Sequence, residues 1–152
     1  MKIQIHEEAD IAIVTAPFYQ HIVDGLYQGA IKYLQEQGLT FIKIDVPGAL
    51  EIPFACQLLE KKVIYPTKRR YPAIIALGAV IRGETAHFDH VCQQSARGIM
   101  DVSLKYNIPI GNGIITVENE AQAIARSSDD DKNKGYEAAH AAVELLKLKD
   151  SL

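Results

Sequence analysis

The sequence predicts a single α/β domain, a mostly parallel sheet with helices packed on both of its faces. Three observations carry this expectation. Short apolar, β-branched runs alternate with longer stretches of helical period, in the order βαβαβαβαα. The clearest of these runs are nearly continuous in apolar residues, the pattern of parallel strands covered on both sides. At 152 residues the chain fits one domain, spanning 1–152, and no linker, internal repeat or low-complexity segment divides it.

Asp10 to Thr15 (DIAIVT) is the first such run. After it, Ile22, Val23, Leu26, Tyr27, Ala30, Ile31 and Leu34 recur at helical spacing until Gly38, a natural stop. Phe41 to Val46 reads as a second strand and Ile52 to Lys62 as a second helix. The most apolar run, Ala73 to Ala79, is expected at the centre of the sheet. Phe88 to Tyr106 is helical in pattern, and Ile108-Pro109 ends it because the residue before proline avoids the helical region. Ile110 to Thr116 reads as a fourth strand weakened by its glycines. A short helix from Glu120 to Arg126 and a long one from Tyr136 to Lys147 close the chain. Ile3 to Ile5 could add an edge strand, within this subunit or on a neighbour.

Composition excludes several classes of function. With 48% hydrophobic and 23% charged residues the chain is an ordinary globular protein, not a disordered one. A net charge of −3 gives no long-range attraction to nucleic acid or anionic membranes. The basic run Lys68-Arg69-Arg70 has no aromatic interleaving and reads as a solvated loop. No apolar run approaches the roughly 18 residues that span a bilayer, and Met1 to His6 lacks a signal-peptide core. A cytoplasmic protein is expected. Cys56 and Cys92, the only cysteines, fall in helical patterns and are expected to be small buried hydrophobes.

In a parallel sheet of this kind, ligands bind outside the carboxyl ends of the strands. The segments to search are therefore Ala16-Pro17-Phe18, Pro47 to Glu51, Val80 to His87 and Val117-Glu118-Asn119. Gly83-Glu84-Thr85 leads into a helix, where free backbone N–H groups and the helix dipole could hold an anion; the same turn could simply cap the helix. His87 could move protons or be structural. It could pair with His90 around a metal, but no third ligand stands at a suitable spacing, so no metal is expected. Glu51 could complement a helix dipole, Phe18 could pack, and Arg126 suits a helix end without any ligand. Lys134 opens the last helix, where the dipole disfavours a cation, which invites a functional reading.

Taken together these residues resemble one family. VPGALEIP (Val46 to Pro53), GAVIRGETAHFDHV (Gly78 to Val91), GIITVENEAQAIAR (Gly113 to Arg126) and NKGYEAAHAAVEL (Asn133 to Leu145) are similar to the four signature blocks of 6,7-dimethyl-8-ribityllumazine synthases, in the family's order and spacing. The block RGETAH is the most specific. With Phe18 the resemblance covers nearly the whole chain.

The resemblance implies a flavodoxin-like three-layer α/β/α domain with a four-stranded parallel sheet. It also implies a cofactor-free transferase of riboflavin biosynthesis, a homopentamer with its sites at subunit interfaces. The implied reaction condenses 5-amino-6-(D-ribitylamino)uracil with 3,4-dihydroxy-2-butanone 4-phosphate, losing phosphate and water. By position, Phe18 would stack on the pyrimidine, while Ala49, Leu50 and Glu51 would contact the ribitylaminouracil, with Glu51 accepting from ribityl hydroxyls. Ala79, Val80 and Ile81 would offer backbone groups to the pyrimidine edge. Glu84 and Thr85 would hold the phosphate through backbone N–H groups, with Arg126 from a neighbouring subunit as counter-charge and Lys134 nearby. His87 would be the proton-transfer group.

Leu50 and Asn112 stand where many family members carry phenylalanine, and Asn112 would make the neighbour's side of the pyrimidine pocket more polar. The turn Ser127 to Asp131 places three adjacent carboxylates where capsid-forming members have a glycine-containing turn. Their mutual repulsion in a close-packed assembly favours a free pentamer or a pair of pentamers over a larger shell. The competing readings are a non-catalytic flavin or lumazine carrier, which would need Phe18 but not His87 and Arg126 together, and an archaeal-type riboflavin synthase.

Overall fold

A computed structural model describes residues 9–60 and 71–152. Strands β1 (Ile11–Ala16), β2 (Phe41–Asp45), β3 (Ala73–Ile81) and β4 (Ile110–Val117) form a four-stranded parallel sheet in the order β2-β1-β3-β4. Helices α1 (Gln20–Glu36), α2 (Ile52–Glu60), α3 (His87–Tyr106), α4 (Glu120–Ser127) and α5 (Lys134–Ser151) connect and cover it. Short 3-10 turns, Pro17–Tyr19 and Ala49–Glu51, lead into α1 and α2. The expected edge strand Ile3 to Ile5, the basic run Lys68 to Arg70, and Lys61 and Lys62 of the expected second helix lie outside the described residues.

Side-chain alternation along the strands builds two cores, one per face. Ile11, Ile13, Ile75 and Leu77 point to the layer of α1, α4 and α5, meeting Leu26, Ala123, Ala139 and Val143. Ala12, Val14, Ile74 and Ala76 point the other way, to Ile52 and Cys56 of α2 and Ile99 and Val102 of α3. Burial of a large aliphatic side chain stabilises by about 1.5–3 kcal/mol, so both faces of the sheet are strongly specified. This is why the strands read as continuous apolar runs.

The glycines that weaken the fourth strand on propensity are demanded by packing. A Cβ at Gly111 would fall 1.9 Å from the backbone oxygen of Ala138 in α5, so the helix lies directly on the strand there. Helix α3 ends where expected, by a specific device. Asn107 adopts the left-handed conformation at φ 53° and donates its N–H to Ser103 O. Helix α5 begins at Lys134, the residue read as opening it, two residues ahead of the run Tyr136 to Lys147. The side chain of Asn133 caps it, accepting from the N–H groups of Gly135 and Tyr136 at 2.9 and 3.1 Å.

Two expectations need correction. Val80 and Ile81, expected in the turn after the third strand, belong to β3, because pairing with β4 continues as far as Ile81 opposite Val117. Cys56 is buried, but Cys92 is only half-buried on α3.

From β1 the chain moves outward to β2, and from β3 it moves the other way to β4. The connections after β1 and β3 therefore diverge and leave a crevice at their carboxyl ends.

Candidate active site

That crevice is a cavity of about 400 Å³. Phe18 and Tyr19 reach it from the turn after β1, Gly48 to Glu51 from the turn after β2, and Ala79 to Ile81 from the end of β3. Gly83, Thr85, His87, Phe88 and Val91 close it from the following loop and the start of α3. The structure thus brings together Phe18, Ala49, Leu50, Glu51, Ala79, Val80, Ile81, Thr85 and His87 of the residues singled out in the sequence. Glu84 belongs to the same loop, but its side chain is solvent-exposed and no part of the cavity wall.

The lip is apolar and unsatisfied. Phe18 is 76% exposed, held edge-on by Tyr19 with ring centroids 5.0 Å apart. An aromatic ring this exposed loses hydrophobic stabilisation unless a ligand or another chain covers it. Leu50 is also exposed at this lip. Glu51 reaches the cavity as an exposed carboxylate with no hydrogen bond among the described residues.

The floor offers backbone groups. Pairing of β1 with β3 ends at Ala16 opposite Gly78, whereas β3 remains paired with β4 through Ile81. One edge of Ala79–Ile81 is therefore unpaired and faces the crevice. Backbone N–H and C=O groups left there need partners, which a planar ligand with both donors and acceptors can supply.

At the far wall, α3 starts without a side-chain cap at Ala86. The N–H of His87 donates to Thr85 Oγ1 at 3.3 Å, a long bond. The N–H groups of Gly83, Glu84 and Thr85 make no hydrogen bond among the described residues. Free donors beside the positive end of a 20-residue helix suit a phosphate or carboxylate. His87 is exposed in the first turn, next to these donors.

Asn112, Arg126 and Lys134 are elsewhere. They line a second cavity of about 400 Å³ on the outer edge of β4, together with Glu137 of α5, and it shares no lining residue with the first. Arg126 donates to the backbone oxygen of Gln122 at 2.9 Å. Lys134 lies 2.7 Å from Glu137 Oε2, and this ion pair offsets the unfavourable dipole at its position. Oδ1 of Asn112 accepts from the N–H of Ile114 at 3.0 Å, leaving its amide N–H₂ to point elsewhere.

Sequence reasoning did not single out Tyr19, Phe88 and Val91 in the first cavity, nor a charged bridge beside it. Arg82 Nε donates to Glu118 Oε2 at 2.6 Å, and Nη2 lies 3.5 Å from Asp89 Oδ1. The hydrogen bond to Glu118, with the charges of both carboxylates, holds the guanidinium above its ordinary pKa. The one available signal was that Arg82 and Glu118 both follow strand ends. Burial pushes the Cys92 thiol up, as does the nearby Asp89 carboxylate, so no reactive thiolate adjoins the site. Among the described residues no group of three or more side chains could hold a metal ion, and no helix is long and apolar enough to cross a membrane.

Comparison with known proteins identifies the family. The family model for 6,7-dimethyl-8-ribityllumazine synthase matches residues 8–150. The synthase of that name from Bartonella henselae is 47% identical over 149 residues, covering 98% of this chain and 94% of that protein. The Zymomonas mobilis protein of the same name is 47% identical over 144 residues, covering 95% and 99% respectively. The one from Agrobacterium fabrum is 48% identical over 143 residues, covering 93% and 95%. By sequence over almost its full length, and with the fold that the resemblance implies, this chain belongs to the 6,7-dimethyl-8-ribityllumazine synthase family.

Proposed function

We propose that the chain is a lumazine synthase, a transferase that condenses 5-amino-6-(D-ribitylamino)uracil with 3,4-dihydroxy-2-butanone 4-phosphate to 6,7-dimethyl-8-ribityllumazine. The observation that carries this reading is the cavity in which an exposed aromatic ring, an unpaired strand edge and an uncapped helix start converge. Neither a flavin carrier nor an archaeal-type riboflavin synthase is favoured by the relatives, which bear the name lumazine synthase.

In this reading the pyrimidine stacks on Phe18 and hydrogen-bonds the free edge of Ala79–Ile81. Ala49 and Leu50 pack along the ribityl chain, and Glu51 accepts from its hydroxyls. The phosphate of the four-carbon substrate sits on the N–H groups of Glu84 and Thr85. The 5-amino group attacks the butanone carbonyl and water leaves, giving an imine. Loss of the proton beside the imine carbon expels inorganic phosphate. The enol so formed takes a proton at its terminal carbon and loses one from its oxygen, giving a new ketone next to the imine. The ribityl-bearing nitrogen closes the ring on that ketone with loss of a second water. His87, beside the phosphate donors, shuttles these protons; a group so placed contributes by acid–base catalysis without any redox step.

The cationic half of the site comes from a second copy. Asn112, Arg126 and Lys134 line a separate cavity on the open edge of β4 that shares no lining residue with the first. Docking that edge against the first cavity of a neighbour supplies Arg126 and Lys134 to the phosphate and Asn112 to the pyrimidine. Phe54 and Leu58 of α2 and Met100 and Leu104 of α3 are half or more exposed, apolar faces suited to burial between copies. We infer a homopentamer, free or paired, acting in the cytoplasm. Asp129, 3.4 Å from Lys32, and Asp130, which accepts from the N–H of Lys132, keep the acidic turn organised on the surface.

Turnover tests the reaction. Mixing both substrates with purified protein should give lumazine fluorescence and inorganic phosphate in equal amounts. A folded protein that releases neither is not this enzyme.

A further inference from the structure

Arg82 joins three elements around the first cavity. Its backbone N–H donates to Val117 O at 2.9 Å, extending the β3–β4 ladder by one residue. Its guanidinium donates to Glu118, just past β4, at 2.6 Å and approaches Asp89 of α3 at 3.5 Å. The same group lies over the Phe88 ring, 4.2 Å from its centroid. Phe88 and its neighbour His87 both line the cavity. The loop Gly83–Ala86 is therefore fastened at both ends by one side chain, by covalent connection at its start and through Phe88 and Asp89 at its finish.

That loop has little else to hold it. Within it and the adjoining turn, the hydrogen bonds are His87 N–H to Thr85 Oγ1 at 3.3 Å, Asp89 N–H to Ala86 O at 3.1 Å and His90 N–H to Ala86 O at 3.4 Å. A Cβ at Gly83 would meet no atom within 4 Å, so packing does not define the backbone there. Free N–H donors bind an anion well only when their directions are fixed beforehand.

We propose that Arg82 is a positioning residue. Its bridge to Glu118 and Asp89, with the stack on Phe88, fixes the Gly83–Ala86 loop and the first turn of α3. The free N–H groups then converge on the substrate phosphate and His87 keeps its place at the cavity wall. This rests on the reading that the loop holds the phosphate of the four-carbon substrate. Arg82 acts through the loop rather than on the phosphate itself, because two carboxylates already engage its charge. The bridge is solvent-exposed, and exposed ion pairs add little to global stability. Its effect is local order.

The test compares Arg82→Met, Arg82→Lys, Glu118→Gln and the double variant Arg82→Met/Glu118→Gln. Kinetics give KM for each substrate and inhibition by inorganic phosphate. Hydrogen–deuterium exchange of residues 83–88 reads the loop without reference to activity. Arg82→Met should raise both the KM for the butanone phosphate and the inhibition constant of inorganic phosphate by roughly tenfold, the scale of misaligning one loop N–H on the phosphate. KM for the ribitylaminouracil should stay within about twofold and melting should be nearly unchanged, as for other exposed pairs. Exchange of residues 83–88 should quicken. Arg82→Lys should recover only part of the loss, because an ammonium is a single point of charge that cannot meet Glu118 and Asp89 through two separate nitrogens or stack on Phe88 as a plane. Glu118→Gln should weaken phosphate in the same direction, and the double variant should be no worse than Arg82→Met.

If Arg82 instead bound phosphate directly, Glu118→Gln would free its charge and tighten phosphate, which overturns the proposal. Equal weakening of both substrates, or unchanged exchange in the loop, also overturns it. Should Arg82→Met fail to fold, the folded Glu118→Gln variant decides, and normal phosphate constants there count against the bridge. A wild-type protein without turnover sinks the functional reading instead, while the exchange measurement still reads the bridge.

Discussion

Gly29 of α1 and Asn133 ahead of α5 are in direct contact: a Cβ at Gly29 would fall 2.0 Å from Asn133 Oδ1. Asn133 is 3% exposed, caps α5 with that oxygen, and donates from Nδ2 to Gly25 O at 3.0 Å and Ser128 O at 2.9 Å. One amide thus ties together α1, the end of α4 and the start of α5. Asn133→Ala should destabilise by about 2–3 kcal/mol, a lost cap plus two carbonyls left without this partner. Gly29→Ala should cost about 1–3 kcal/mol, because the added methyl has no room. Denaturant titration of both variants measures this, and either one at wild-type stability would contradict the packing described.

His87 separates binding from catalysis. If it shuttles protons, His87→Ala should lower kcat by about 10²-fold, the lower range for such groups because water can also protonate the intermediates. Affinity for an unreactive pyrimidine analogue should hardly change, nor should melting, since the side chain is exposed. Full activity in the folded variant would assign the proton transfers to another group or to water.

Arg126 tests the phosphate assignment. Within one chain its described hydrogen bond goes to the backbone of Gln122, on its own helix. Arg126→Ala should raise KM for the butanone phosphate by the equivalent of about 1.5–3 kcal/mol, the worth of a hydrogen bond to a charged group. KM for the ribitylaminouracil should change far less. An unchanged KM for the phosphorylated substrate would remove Arg126 from the site.

Cys56 predicts an alkaline limit to stability. Burial pushes its thiol from the ordinary value of 9.0 up to about 12. The folded state therefore keeps a proton that the unfolded chain loses first. Below pH 9 this group adds no pH dependence, and between about 9 and 12 stability falls by up to about 1.4 kcal/mol per pH unit. The Tyr27, Tyr33 and Tyr136 hydroxyls are also raised and steepen the decline. Comparing Cys56→Ala with wild type across this window should show a shallower slope in the variant. Identical slopes would contradict the shift.

Much of this was legible in the sequence for a physical reason. A parallel sheet buried on both faces writes its strands as apolar runs, and helix α1 writes its buried face at the spacing of Ile22, Leu26 and Ala30. Strand ends point to the first cavity, and Phe18, Glu51 and His87, each after a strand, line it. What escaped depends on contacts distant in sequence. The reach of β3 to Ile81 is set by β4, the need for Gly111 by α5, and the meeting of Arg82 with Glu118 by the turn after β4. The start of α5 at Lys134 is local, set by the Asn133 cap rather than by the apolar period that begins at Tyr136.

In the proposed enzyme the site is shared between two copies, with Phe18, Glu51 and His87 on one face and Arg126 and Lys134 on the other. Subunit mixing measures this directly. His87→Ala and Arg126→Ala chains, each nearly inactive alone, are co-assembled in equal amounts and assayed for lumazine formation at limiting butanone phosphate. In a randomly mixed ring about a quarter of the interfaces pair the intact His87 face of one chain with the intact Arg126 face of its neighbour, so activity should rise to about a quarter of wild type. Activity no greater than the average of the two separate variants would contradict a shared site.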